Sequence, residues 1–383
     1  MKAKQGLSTK CVHAGKTVCG RVAPVASPIF QTSTYYYPKE ESAGYIYTRI
    51  ENPTQEVVEE KIAALEGGRE GLVFSSGMAA ITTTVLSTVG EGGHLIAFED
   101  LYGNTYTFFK SGLEKYGIDV TLIKAKDATG IGRFIRKNTK AVFLESPTNP
   151  LMRIVDIPKV AKVAHKKSVK VIVDNTFATP INQRPLELGA DIVVHSGSKY
   201  LNGHSDVISG LMAGNRENVQ EIKELRTTLG GCLDPHASYL LQRGMMTLSI
   251  RMAKHNDNGQ RVAEFLENHK KIDRVHYPGL SSHPDHELAK SMMHGFGGML
   301  SFEVKGRRKE ANRFLKELKL LLAAPSLGGV ETLISVPAET SHSYLSRKER
   351  LGQGIKDNLV RMSVGIEDFQ DIKRDLNQAL SKI

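Results

Sequence analysis

The chain has 383 residues, a net charge of +10 and 40% hydrophobic residues, the makeup of an ordinary folded protein long enough for two or three domains. No apolar run approaches the roughly 18 residues needed to cross a bilayer, and the N-terminal MKAKQGLSTKCVHAGK lacks the apolar core of a signal peptide, so a cytoplasmic location is expected. The basic balance makes nucleic acid a partner to weigh, but tryptophan is absent and the short basic clusters, His165-Lys166-Lys167 and Lys305–Lys309, are not interleaved with aromatics, so neither nucleic acid nor membrane is expected as a partner.

Three widely spaced cysteines, Cys11, Cys19 and Cys232, support neither a disulfide framework nor a cysteine zinc site. The pair His283 and His286 has no third ligand at a diagnostic spacing and is expected at a solvated helix start.

Residues 1–50 hold Pro24, Pro28, Pro38 and the run Tyr35-Tyr36-Tyr37 without a sustained period, which suggests an extended arm that packs on a neighbouring subunit. A helix follows from about Glu56 and stops at Gly67-Gly68. Short apolar runs then alternate with helical stretches. The runs are 71–74, 94–100, 119–125, 140–146, 169–175, 190–196 and 206–214, with helices near 77–89, 105–116, 156–167 and 216–228. Continuous apolar strands separated by helices predict a largely parallel sheet covered on both faces, in a large α/β domain over 51–249. A long helical region over 235–268 is expected to break near Arg243-Gly244. Beyond it GGMLSFEVKG, ETLISVPAE and NLVRMSVGIED alternate like strands with one exposed face, with helices near 307–320 and 368–381, which predicts a smaller α/β domain over 250–383.

An open parallel sheet binds its ligands at the carboxyl ends of its strands. The run GLVF leads into Ser75-Ser76-Gly77-Met78 and a helix, so free backbone N–H groups and a positive helix end are presented to an anion. VKVIVD ends in Asp174, a carboxylate that is costly to bury unless it meets a cation. ADIVVHSGSK ends in Ser196, Ser198 and Lys199. Singly, the strand-end Asp and Lys read better as surface residues, and the Ser-Gly turn equally well as an ordinary tight turn. Together they form the set that pyridoxal 5′-phosphate (PLP) requires: donors for its phosphate, a carboxylate to keep its ring nitrogen protonated, and a lysine amine for its aldehyde.

HSGSKYLNGHSDVISG resembles the cofactor-lysine segment of the Cys/Met metabolism PLP-dependent enzymes, a γ-family of PLP fold type I, the aspartate aminotransferase-like architecture. The group includes cystathionine γ-lyase, cystathionine γ-synthase, cystathionine β-lyase, methionine γ-lyase and homoserine sulfhydrylases. TRIENPT, FSSGMAAI, DLYGNTY, ESPTNP, VDNTFATP, SLGGVETL and VRMSVGIEDFQDI are similar to family blocks in family order. The resemblance implies that Lys199 carries PLP and shuttles protons, and that Asp174 meets the ring nitrogen. It implies that Gly77, Met78, Ser196 and Ser198 hold the phosphate, with Ser198 in place of a usual Thr. Tyr47 and Arg49 resemble a pair that reaches the phosphate of the neighbouring subunit, within a homotetramer. Tyr102 resembles the tyrosine that stacks on the ring and assists acid–base chemistry. Arg361 resembles the clamp for a substrate α-carboxylate, joined by Asn149 and the Ser326-Leu327 backbone.

Three positions depart from the pattern. Pro325 precedes SLGG where an acidic residue often holds cystathionine's distal amine. Asn104 stands where methionine γ-lyases typically carry Cys, and PAETSH places Ser341 at a threonine position. The expected activity is γ-elimination on a small amino-acid substrate, of the cystathionine γ-lyase type. Methionine γ-lyase, and γ-replacement as in cystathionine γ-synthase or acyl-homoserine sulfhydrylase, remain open.

Overall fold

The computed structural model describes residues 5–15, 24–36 and 44–383. Cys19, Tyr37 and Pro38 lie outside them. The first sheet comprises β1 (Glu70–Phe74), β2 (His94–Phe98), β3 (Asp119–Ile123), β4 (Thr139–Glu145), β5 (Lys170–Asp174), β6 (Ile192–Ser196) and β7 (Gly210–Gly214), in spatial order β1-β7-β6-β5-β4-β2-β3. Only β7 runs against its neighbours, so β1, β6, β5, β4, β2 and β3 share one direction. These strands are the apolar runs of the sequence. Val, Ile, Leu and Phe at successive positions need cover on both faces, and helices supply it: Gly77–Val89 packs against one face, Pro53–Glu66 and Ile157–His165 against the other.

Helix Pro53–Glu66 is the one expected from Glu56, started earlier by the Asn52 cap and ended by Gly67 at φ 77°. The segment expected as one helix over 105–116 is instead a five-residue α-helix (Gly103–Thr107), a π turn (Phe108–Gly112) and a 3₁₀ turn (Leu113–Tyr116). The long helical region breaks at Thr247 between Pro235–Met246 and Leu248–Glu267, not at Gly244. Gly244 is a close-packing glycine inside the first helix: a Cβ there would fall 2.2 Å from the Asn202 carbonyl oxygen. The arm is not wholly extended either. Leu7–His13 is helical and buries Cys11. His283, expected in solvent, is buried. Burial pushes its imidazole down to about 4, and its Nδ1 accepts from the Asp285 N–H, so the helix that starts at His286 is approached through a packed turn.

The second sheet comprises β8 (Ile272–His276), β9 (Met299–Val304), β10 (Leu322–Ala323), β11 (Leu333–Ser335) and β12 (Leu359–Ser363), in order β10-β11-β12-β9-β8 and antiparallel except for β10 with β11. The expected alternation is present, but its polar face is not in water, and β9 and β12 are buried at every position. Leu300, Phe302, Val304, Val360 and Met362 face the apolar core. The alternate residues bond to loops instead: Ser301 Oγ donates to the Pro150 carbonyl at 2.7 Å, and Ser363 Oγ accepts from the Gly328 N–H at 2.8 Å. Arg361 belongs to this buried polar face, against loops that follow β4 and β10.

Candidate active site

The shared direction of the parallel strands brings their carboxyl ends to one edge of the sheet. β1 leads into helix Gly77–Val89, whose cap Ser76 accepts from the Ala79 N–H at 3.0 Å. The N–H groups of Gly77 and Met78 make no hydrogen bond within the described residues, as expected for a first helical turn. A Cβ on Gly77 would fall 2.8 Å from Ser196 Cβ and 3.0 Å from Ser196 Oγ. The missing side chain therefore lets the end of β6 lie directly against the helix start, with the Ser196 hydroxyl beside the free N–H groups. Ser198 is close by, its hydroxyl donating to the Ser209 carbonyl at 3.3 Å and accepting from the Ser209 N–H at 2.9 Å.

Asp174 closes β5 and is buried. Its Oδ1 accepts from both the N–H (2.9 Å) and the hydroxyl (2.5 Å) of Thr176, and the Ser196 N–H in turn donates to that hydroxyl at 2.9 Å. Within the described residues no donor reaches Oδ2. Burial holds this carboxyl above its ordinary value.

Lys199 lies in the turn after β6 and donates from Nζ to Ser326 Oγ at 2.7 Å. Burial, with Arg361 nearby, lowers its amine to about 8. Arg361 donates from Nη1 to Asn149 Oδ1 and from Nη2 to the Ser326 carbonyl, both at 3.2 Å. No carboxylate among the described residues pairs with either cation. Ser326 thus joins the lysine through its hydroxyl and the arginine through its peptide oxygen. It does so at φ 87°, a left-handed conformation that costs a non-glycine residue on the order of 1–3 kcal/mol. The next residue, Leu327, is packed into the core beside Tyr200, and this anchors the loop.

Tyr102 follows β2, with 44% of its surface exposed and its phenol oxygen accepting from Asn104 Nδ2 at 3.3 Å. Tyr47 and Arg49 are not joined to these groups within one chain. The Arg49 guanidinium lies 5.5 Å from the Tyr47 ring centre and donates to the Thr227 carbonyl at 2.8 Å, and no hydrogen bond, ion pair or ring contact links the pair to Lys199, Asp174 or Ser196.

The Cys/Met metabolism PLP-dependent enzyme family model matches residues 8–381. The chain belongs to this family. An L-methionine gamma-lyase from Fusobacterium nucleatum subsp. polymorphum is 46% identical over 392 aligned positions, covering 99% of each chain. A cystathionine gamma-lyase from Bacillus subtilis (strain 168) is also 46% identical, over 98% of this chain and 99% of its own. A crystal structure of cystathionine gamma-lyase from Lactobacillus plantarum, complexed with L-serine, superposes with a TM-score of 0.95 at 40% identity and 99% coverage of both chains.

As a family member the chain is a PLP-dependent enzyme, and its residues fit that cofactor. Free N–H groups at a helix start beside a serine hydroxyl suit a phosphate dianion. A buried carboxylate oxygen lacking a donor suits a protonated ring nitrogen. A buried amine of lowered basicity suits an aldehyde.

Several groups at this edge were missed in the sequence. Thr176 orients Asp174, and its position two residues after an Asp is an Asx-turn signal. Glu145 ends β4 just as Asp174 ends β5, so the same strand-end rule would have found it. Ser209 has a buried hydroxyl without a partner among the described residues. His342 is pushed down to about 3 by burial and Arg361, and its Nδ1 lies 2.9 Å from Ser341 Oγ. Both lie in segments that resemble the family, HSGSKYLNGHSDVISG and PAETSH, but neither stands at a strand end.

The lowered Lys199 amine has a measurable consequence. Below about pH 8 the group is protonated and cannot capture an aldehyde; above it the neutral amine predominates. The rate at which apoprotein takes up PLP covalently should therefore rise with pH and level off near 8, whereas an unshifted lysine would keep accelerating to about 10.4. Stopped-flow absorbance with the apoprotein checks this, and Lys199→Ala should show no covalent uptake at any pH.

Proposed function

We propose that the enzyme catalyses γ-elimination on sulfur amino acids, with L-cystathionine converted to cysteine, 2-oxobutanoate and ammonia. One observation carries this reading: Ser326 bridges an amine and a guanidinium that no carboxylate neutralises. The guanidinium is thus free for the α-carboxylate of an amino acid, one residue away from the amine that would carry the cofactor.

In this reading the Arg361 fork, preset by Asn149 Oδ1 and the Ser326 carbonyl, grips the substrate α-carboxylate. Gly77, Met78, Ser196 and Ser198 hold the cofactor phosphate, and Asp174 the ring nitrogen. PLP supplies the electron sink that makes the Cα–H bond acidic. Lys199 Nζ, neutral in a useful fraction near pH 8, takes the Cα proton, and Tyr102 stacks on the cofactor ring and assists. A second deprotonation, at Cβ, lets the γ-substituent leave.

A second reading, methionine γ-lyase, is favoured by Pro325, which is exposed beside Ser326 and offers no charge to a distal amine. Asn104 speaks for the first reading: it hydrogen-bonds the Tyr102 phenol where methionine γ-lyases typically carry Cys. Incubation with L-cystathionine, with L-methionine, and with O-acetylhomoserine plus cysteine, followed by mass identification of products, separates the two lyases from γ-replacement. The first reading expects 2-oxobutanoate and cysteine in the first incubation as the fastest reaction; faster methanethiol release from methionine selects the second. In Arg361→Ala, KM for the turned-over amino acid should rise roughly 10- to 100-fold with the cofactor's visible band intact, the loss of charged hydrogen bonds.

The active site is proposed to be shared in a homotetramer, since Tyr47 and Arg49 are exposed and unconnected to their own site. Arg49→Ala should weaken PLP retention about tenfold or more in equilibrium dialysis, while among the described residues it loses the hydrogen bond to Thr227 and the contact with the Tyr47 ring. Unchanged PLP affinity would count against a shared site. Within the described residues no helix is long and apolar enough to cross a membrane.

A further inference from the structure

Glu145 is the last residue of β4, and its Cα partner across the sheet is Asp174, the last residue of β5. Paired positions on adjacent strands project to the same face, so two carboxyls leave the sheet edge side by side on the face that carries the site. Glu145 is 5% exposed. No cation among the described residues pairs with it. Burial, with the charge of Asp174 added, holds its carboxyl well above the usual carboxylate range. An isolated buried carboxyl is a cost to folding that leucine or methionine at the end of this apolar strand would avoid.

What the carboxyl does is visible in its one hydrogen bond among the described residues: Oε1 accepts from the Tyr102 backbone N–H at 2.7 Å. That N–H belongs to the residue capping the short helix Gly103–Thr107, which has no side-chain cap. Tyr102 itself has little else to fix it. Its ring is half exposed, and among the described residues its only side-chain hydrogen bond is the 3.3 Å contact with Asn104. The adjoining residue is clamped from the other side, since a Cβ on Gly103 would fall 2.5 Å from the Tyr344 ring and 2.7 Å from the Ser341 carbonyl oxygen. The peptide plane that launches the Tyr102 side chain is thus set between a close-packed wall and one acceptor.

We propose that Glu145 is a positioning residue for the reaction, acting through the Tyr102 backbone N–H to hold the tyrosine over the site. This rests on the role given to Tyr102 under the proposed function. The acceptor required is a carbonyl-type oxygen at the end of a two-methylene arm, not a negative charge.

Three substitutions separate these requirements. Glu145→Gln keeps the oxygen and removes the charge; its kcat should stay within about threefold of the parent. Glu145→Met removes the oxygen, and Glu145→Asp withdraws it by one methylene. Both should lower kcat on the order of 100-fold with KM changed less than about threefold, the scale of a misplaced reacting group. The second variant also serves if the first fails to fold. In holoenzyme without substrate, the visible circular dichroism of bound PLP should weaken in the Met and Asp variants and not in Gln. In a double-mutant cycle with Tyr102→Phe, the losses should not multiply, because both act through one phenol. Multiplying losses, equal damage from Gln and Met, or unchanged kcat in Met and Asp would overturn the proposal. Parent enzyme that binds no PLP and turns over no amino acid would instead sink the functional reading beneath it.

Discussion

Two cations meet at Ser326, and no carboxylate among the described residues pairs with either. Lys199 and Arg361 both touch Ser326: burial, with Arg361 nearby, brings the Lys199 amine to about 8, and burial brings the Arg361 guanidinium to about 10. Such an arrangement is costly in isolation. In the proposed function the cost would be offset when an aldehyde takes up the amine and a carboxylate meets the guanidinium. Much of the rest of the molecule can be understood as the scaffold that holds these two groups in place before either ligand arrives.

The first sheet contributes by direction alone. Because β1, β2, β4, β5 and β6 are parallel, the residues that end or follow them, Gly77, Tyr102, Glu145, Asp174 and Lys199, converge on one edge from widely separated parts of the sequence. The second sheet contributes by burial of its polar face. Arg361 can hold its fork open because Asn149 and the Ser326 carbonyl accept from it, and Ser326 accepts a strained φ of 87° to serve both cations. This convergence of donors, acid and amine fits the family's PLP dependence.

The sequence made the first sheet and its edge legible because each buried strand is an apolar run that stops at a polar residue; Asp174 and Lys199 stand out against Val, Ile and Leu. Glu145 shows the same contrast at the end of β4; what the sequence does not show is its partner, a backbone N–H more than forty positions earlier. Arg361 had no local signal: its neighbours in the clamp come from loops near positions 149 and 326, and only the family resemblance pointed to it. Period-two patterning gave β9 and β12 correctly but not their environment, because alternation does not say whether the polar face meets water or another loop. Gly244 read as a helix break for a similar reason; close packing against Asn202 is a tertiary fact. The buried His283 likewise depends on a fold context that a two-histidine spacing cannot supply.

The account stands on a covalent bond between one particular amine and the cofactor. Reducing PLP-loaded protein with borohydride, digesting it and mapping the modified peptide by mass spectrometry tests that bond directly. The pyridoxyl mass should appear on Lys199 alone. Its appearance on another lysine, or on none, would contradict the account.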